Sequence, residues 1–456
     1  FQETNLHETM EKGIHPHMVH HIRVALGAAL IFFLCVYPSI SLDASEASTL
    51  RPKYIIRSGK REPRADLRDE LDDIQDKAVQ MSTQPDWSQH SGVKTSQAVV
   101  GGETVVSSNV HAFFHLWYRN QQTDGSWEHW NTAPLQEPGA TDTNLAPPAP
   151  PDDIAARFYP AAGPYSSVSP QTLARQMGEL RTAGIGVVVV SWWPEAGQQG
   201  AGREGKKSPV FALLAAAEAH SVQVAFHLEM YPDRTPATVK RDIMYLLRRY
   251  GQHPALHRRP NSQGQTLPVL YVYNSSAHTP QDWMPVLSSK HGSGSVRGTA
   301  DDAVLVAMVV DPRHPYDAAK AGFDGIYTYF AAEASSFAST AANWVAMKSF
   351  AQSYNMLFVP TVGPGFDDTA LRPWNKGAAV GRSGGEAYAK MWRSAVASRP
   401  DVVAVNSFNS WHCGTQVEPA VERAGYLSYA PLPPDSYLRQ TQRFAKQLER
   451  LNSQQG

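Results

Sequence analysis

The chain has 456 residues, of which 42% are hydrophobic and 18% charged, and its formal net charge is -1. That balance is typical of a globular protein and excludes a nucleic-acid partner held by a basic surface. The two cysteines, Cys35 in an apolar leader run and Cys413 near the end, exclude a disulfide framework.

From Val24 the run "VALGAALIFFLCVYPSISL" carries no charge through Leu42, which reaches the roughly 20 residues a membrane helix needs. Arg23, His20 and His21 precede it and Asp43 and Glu46 follow, so the positive side lies N-terminal. The expectation is a short cytoplasmic tail over 1–23 and a signal anchor over 24–42, with the remainder translocated. A cleaved signal peptide is the rival reading, because Ser39 and Ser41 are small residues of the kind found at cleavage sites. Residues 43–109 are polar and read as a luminal stem. Within it Leu67, Leu71, Ile74 and Val79 fall near helical spacing.

From Val110 to residue 456 short apolar runs alternate with amphipathic segments. The runs are "VHAFFHLWY", "GIGVVVVSWWP", "SVQVAFHLEMY", "LPVLYVYNSS", "AVLVAMVVD", "GFDGIYTYF", "NMLFVPTVGPG" and "VVAVNSFNSW". Helices are expected over Pro170–Ala183, Pro209–Ala219, Pro236–Tyr250, Trp344–Tyr354, Gly385–Ser398 and Asp435–Leu451. Eight strands alternating with helices predict an α/β fold, a (β/α)8 TIM-like barrel, with an open doubly wound sheet as the alternative. No Gly-rich phosphate fingerprint follows the first run, which argues against dinucleotide binding.

A barrel of this kind places its site at the C-terminal ends of the strands. The residues expected there are Trp117 and Tyr118 ending the first strand, Trp192 and Trp193 the second, and His227, Glu229 and Tyr231 the third. Tyr271 and Tyr273 end the fourth, and Tyr327 and Tyr329 the sixth. Strand alternation predicts that His227, Glu229 and Tyr231 share one face. Aromatic rings converging with His and Glu suit the flat, amphipathic surface of a sugar.

"PPDDI", "RFYP", "PYSS", "FHLEMY", "GFDGIYTYF", "VGPGF", "RPWN" and "SFNSWHCGTQVE" occur in this order. Together they resemble glycoside hydrolase family 99, the endo-α-1,2-mannosidases, over nearly everything from Val110 to the C-terminal helix. The resemblance implies a type II Golgi membrane protein with a luminal barrel that removes glucosylated mannose from N-linked glycans, without metal or cofactor. It also implies a sugar-binding role for Glu229 and, with the aromatic residues above, Asn409 and Trp411 as a recognition edge on the eighth strand.

The resemblance further implies two catalytic glutamates in a segment of the form S-F-N-E-W-H-E-G-T-Q. Here those positions hold Ser410 and Cys413. A positioned general acid or base contributes roughly 10²- to 10⁴-fold, so losing both removes on the order of 5 to 10 kcal/mol of transition-state stabilisation if they act independently. Met230 replaces a proline and His115-Leu116 replace Tyr-Pro, so the catalytic face has drifted on a retained scaffold. Glu229, Glu333, Asp367, Asp368 and Glu418 are the candidate substitute carboxylates. Three readings follow: an impaired member that binds mannose-rich or glucosylated N-glycans, an active endo-mannosidase with substitute groups, and a structural barrel with a vestigial cleft.

Overall fold

A computed structural model describes residues 106–137, 146–194 and 208–454. The expected tail, the anchor at 24–42 and the stem up to residue 105 lie outside the described residues. Among the described residues no helix is long and apolar enough to cross a membrane.

The central sheet has parallel strands β1 (Ser107–Phe114), β2 (Ile185–Trp192), β3 (Gln223–Leu228), β4 (Thr266–Val272), β5 (Val304–Met308) and β6 (Gly325–Tyr327). Pro360 divides β7 into Leu357–Val359 and Thr361–Val362, and β8 is Val403–Val405. Each strand pairs with the next, β1 pairs with both β2 and β8, and the two halves of β7 pair with β6 and β8 respectively. The ladder therefore comes round to closure except at Pro360, whose ring nitrogen has no proton to donate. This is the (β/α)8 barrel expected from the alternating runs.

Side-chain alternation divides the core into two layers. Val187 and Val189 of β2 join Phe113, Ala225, Val269, Tyr271, Val306 and Ala404 inside the barrel. Val188, Val190 and Trp192 join Phe114, Phe226, Leu270 and Phe358 in the layer beneath the helices. That outer layer is covered by α1 (Pro170–Thr182), α2 (Pro209–Ala219), α3 (Pro236–Tyr250), α4 (Pro280–Leu287), α5 (His314–Ala321), α6 (Trp344–Ser353), α7 (Glu386–Ala397) and α8 (Ser436–Ser453). Ser169, Thr235 and Thr279 cap α1, α3 and α4 with their hydroxyls, each followed by a proline whose missing N–H costs nothing in a first turn.

At the functional end β1, β3 and β8 stop short of expectation, β3 at Leu228. β1 stops at Phe114, so Trp117 and Tyr118 lie on the loop beyond it. β8 stops at Val405, and "SFNSWHCGTQVE" is not a strand but a loop folded back on itself. Ser407 N donates to Thr415 O at 2.9 Å and Val417 N to Ser407 O at 2.9 Å. The loop satisfies its own main chain, which ends the need for a neighbouring strand. Alternating-face arguments therefore do not apply to His412 and Cys413.

Candidate active site

The floor of the rim is built around His227, which is fully buried at the end of β3. Its Nδ1 lies 2.7 Å from Glu229 Oε1 and its Nε2 lies 2.7 Å from the Tyr327 hydroxyl. Tyr329 stacks on the imidazole at 5.2 Å with an interplanar angle of 14°, and Tyr273 meets it edge-on at 5.5 Å. Phe113 supports the ring from β1 at 5.0 Å. Burial raises the Tyr327 and Tyr329 hydroxyls well above the ordinary phenol range, and the Glu229 charge adds to it. Both phenols remain protonated and able to donate. Glu229 is 1% exposed, and its Oε2 has no hydrogen-bond partner.

Tyr231 does not share this floor. β3 ends at Leu228, and Tyr231 turns to α3, where its hydroxyl donates to Asp242 Oδ2 at 2.6 Å and lies 2.7 Å from Thr238 Oγ1. Burial raises the Asp242 carboxyl to about 6. Trp192 also faces the helices, stacking on Tyr245 of α3 at 5.9 Å, because alternation from the outward Val190 places it there.

Trp117 lies in a stack whose rings come from three segments. His115 lies 4.4 Å from it at 13°, His129 lies 4.9 Å away at 12°, and Trp193 and His412 pack beside them. Its ring stacks on protein imidazoles instead of standing as an open platform. Burial lowers His115 to about 3 and His412 to about 4, and holds His129 well below its ordinary value. All three are neutral at physiological pH.

The loop beyond β8 is fixed from several sides. Asn409 Oδ1 accepts from His115 N at 2.8 Å, and its Nδ2 donates to His115 O at 2.9 Å. Trp411 is fully buried; its N donates to the Tyr118 hydroxyl at 3.0 Å and its Nε1 to Glu418 Oε2 at 3.0 Å. Asn409 and Trp411 thus face into the protein and hold the loop, instead of forming the edge expected from a strand. Ser410 N donates to Ser407 Oγ at 2.8 Å, and Cys413 O accepts from Asp367 N at 2.9 Å. Ser410 is 4% and Cys413 7% exposed. The Cys413 thiol lies near the phenols of Tyr118 and Tyr329, where its charge would add to the upward push that burial gives both hydroxyls.

Most of the candidate substitute carboxylates are already engaged. Glu418 takes Arg175 Nη2 at 2.8 Å and Gln176 Nε2 at 2.9 Å on one oxygen, and the Tyr165 hydroxyl at 2.7 Å on the other. Asp368 binds Arg372 at 2.7 Å and Asn375 at 2.8 Å, while Asp367 pairs with Arg157 at 3.4 Å. Glu333 pairs with Lys390 at 3.2 Å beside a cavity of about 290 Å³ lined also by Gly363 and Gly365. Among the described residues no group of three or more His, Cys, Asp or Glu is arranged to hold a metal ion.

Arg234 was missed in the sequence. It follows "HLEMYPD" and is 5% exposed; its Nη1 donates to Tyr273 O at 2.8 Å and approaches Met230 Sδ at 2.9 Å. An arginine three residues beyond Tyr231 gives no periodic signal, since it sits on an irregular turn.

The sequence profile described as glycosyl hydrolase family 99 matches residues 105–450. A glycoprotein endo-alpha-1,2-mannosidase-like protein of Danio rerio is 40% identical over 374 residues, 80% of this chain and 84% of that protein. The glycoprotein endo-alpha-1,2-mannosidase of Rattus norvegicus is 38% identical over 344 residues, 74% of either chain. The solved GH99 endo-alpha-mannosidase of Bacteroides thetaiotaomicron superposes with a TM-score of 0.70 at 34% identity, covering 76% of this chain and 98% of that one.

Proposed function

This chain belongs to glycosyl hydrolase family 99, and from that membership we propose that it binds glucosylated, mannose-rich N-glycans at the C-terminal rim while being severely impaired in cutting them. The observation that carries the proposal is the chemistry around Ser410 and Cys413. Neither side chain is a carboxylic acid, and Glu229, which keeps one oxygen open, is a single carboxyl where two are called for. His115 and His412 are neutral and reluctant to take a proton, the Tyr118 and Tyr329 phenols are reluctant to give one, and Glu418 is held by four donors. Hydrolysis of a glycoside calls for two carboxyl groups flanking the bond at a defined separation. Binding asks less, and His227, Glu229, Tyr273, Tyr327 and Tyr329 supply a buried polar and aromatic floor.

The cellular placement is part of the same proposal: a type II protein of the Golgi membrane, anchored by residues 24–42 with the barrel in the lumen. Its support is the uncharged run with basic residues before it. The test is to incubate the full chain with a glucosylated high-mannose glycan and assay for a released disaccharide, with calorimetric binding in parallel. Binding without release is expected, and release restored by S410E/C413E. Turnover by the unmodified chain at a rate comparable to the double variant overturns impairment, and absence of binding overturns the glycan reading.

A further inference from the structure

Two buried, charged side chains at this rim each have polar atoms that the protein leaves unpaired. Glu229 spends Oε1 on His227 and has nothing on Oε2. Arg234 spends Nη1 on the Tyr273 carbonyl and on the weakly accepting thioether of Met230, and has nothing on Nε or Nη2. Burial lowers the Arg234 guanidinium, and Tyr231, Asp242 and, after them, Glu229 oppose that effect, so the Glu229 carboxyl lies within electrostatic range of Arg234. A buried polar group with open hydrogen-bonding positions is costly, and its persistence at the C-terminal end of the barrel strands points to a ligand that completes it.

The pattern of open atoms specifies the ligand chemistry. An anion would satisfy Arg234 and be repelled by Glu229; a cation would do the reverse. A hydroxyl donates through its hydrogen and accepts on its oxygen, so neighbouring hydroxyls serve both residues. We propose that Glu229 and Arg234 form a hydroxyl clamp, Oε2 accepting from and Nε and Nη2 donating to vicinal hydroxyls of a hexopyranose at the end of β3. This rests on the glycan-binding reading above. It adds Arg234 as a specificity-determining residue and makes the clamp depend on charge of both signs.

Met230 shapes the arrangement. Its thioether meets Nη1, the nitrogen already taken by Tyr273 O, and so leaves the other two free. Charge-assisted hydrogen bonds of this kind are roughly twice as strong as neutral ones.

The experiment is titration calorimetry of the full chain with a glucosyl-mannose disaccharide and its monodeoxy analogues, on wild type, R234M, R234K and E229Q. Each variant is first checked for an unchanged melting transition. R234M and E229Q should bind the parent disaccharide about tenfold or more weakly, with R234K between R234M and wild type, since lysine keeps the charge without the fork. One monodeoxy analogue should lose about tenfold on wild type and lose nothing further on R234M. A merely structural arginine would give additive losses in that cycle, and additive losses overturn the clamp. Equal affinity of R234M and wild type for the parent disaccharide overturns it as well. If R234M fails to fold, the same cycle is run with R234K, where additivity again overturns the proposal. No disaccharide binding by wild type overturns the clamp together with the glycan-binding reading beneath it, whereas wild-type binding with additive losses leaves that reading standing.

Discussion

The side chain of Asn409 hydrogen-bonds both main-chain polar groups of His115, at 2.8 and 2.9 Å, and so joins the loop after β8 to the loop after β1. Both residues are buried, so replacing Asn409 with alanine removes two bonds and orphans a backbone N–H and a C=O. Asn409→Ala is expected to cost about 2–4 kcal/mol of stability, read from denaturant midpoints. An effect under about 1 kcal/mol would show that the loop is held mainly by its other bonds.

Glu418 gathers Tyr165, Arg175, Gln176 and Trp411 around one carboxylate. Glu418→Gln keeps the shape, removes the charge and forces an amide N–H toward donors. It should destabilise by about 2–4 kcal/mol. The near-ultraviolet dichroism of the folded variant should change, because the Trp411 indole loses its carboxylate acceptor. An unaltered spectrum and an unaltered midpoint together would contradict this.

Restoring the carboxylates one at a time distinguishes cooperation from simple addition. S410E and C413E singly are each expected to give far less turnover than the double variant, because an acid without its partner leaves one half of the reaction uncatalysed. Residues that act as a unit give strongly non-additive effects. Initial rates of disaccharide release from the three variants provide the measurement, and full activity in either single variant would refute the pairing.

Acid should weaken the fold from near neutrality downward. Burial lowers His115 and His257 to about 3, His412 to about 4, and His111 and His129 well below their ordinary value. In the unfolded chain these imidazoles take protons near pH 6.5. Between about pH 4 and 6.5 the unfolded state therefore binds more protons, and stability rises with pH. Asp242, raised to about 6, Glu179, raised to about 7, and the raised Asp324 act in the opposite sense, because burial keeps their protons on in the folded state. With His253 and His314, which burial also lowers, seven histidines outweigh three carboxyls, so denaturant midpoints should climb from pH 4.5 to 6.5. A flat or falling series would contradict the prediction.

Gly363 leaves no room for a side chain, since a Cβ there would stand 2.3 Å from that of Ala331. Gly363→Ala is expected to lower the melting transition by several degrees, as overpacking typically costs about 1–3 kcal/mol. Differential scanning calorimetry reads this directly.

The eight apolar runs located every barrel strand, because buried parallel strands need continuous Val, Ile and Phe. Run length overestimated where pairing stops: Trp117, Tyr231 and Trp411 were assigned to strands that end at Phe114, Leu228 and Val405. Alternation then gave the wrong facing for Tyr231, which follows an irregular turn to α3. Helices α4 and α5 were not expected at all, being eight residues each, the first with Pro285 inside it. The His227 and Glu229 pair was legible because both lie within two residues on one continuous run. Asn409 to His115, Glu418 to Arg175 and the position of Arg234 were not legible, because they depend on loops brought together by closure of the barrel.

The loop after β8 holds Ser410 through its amide nitrogen and Cys413 through its carbonyl oxygen. Such bonds survive whatever side chain stands at either place. The backbone path of the loop thus draws on main-chain atoms at these two positions, and on the side chains of Asn409, Trp411 and Glu418.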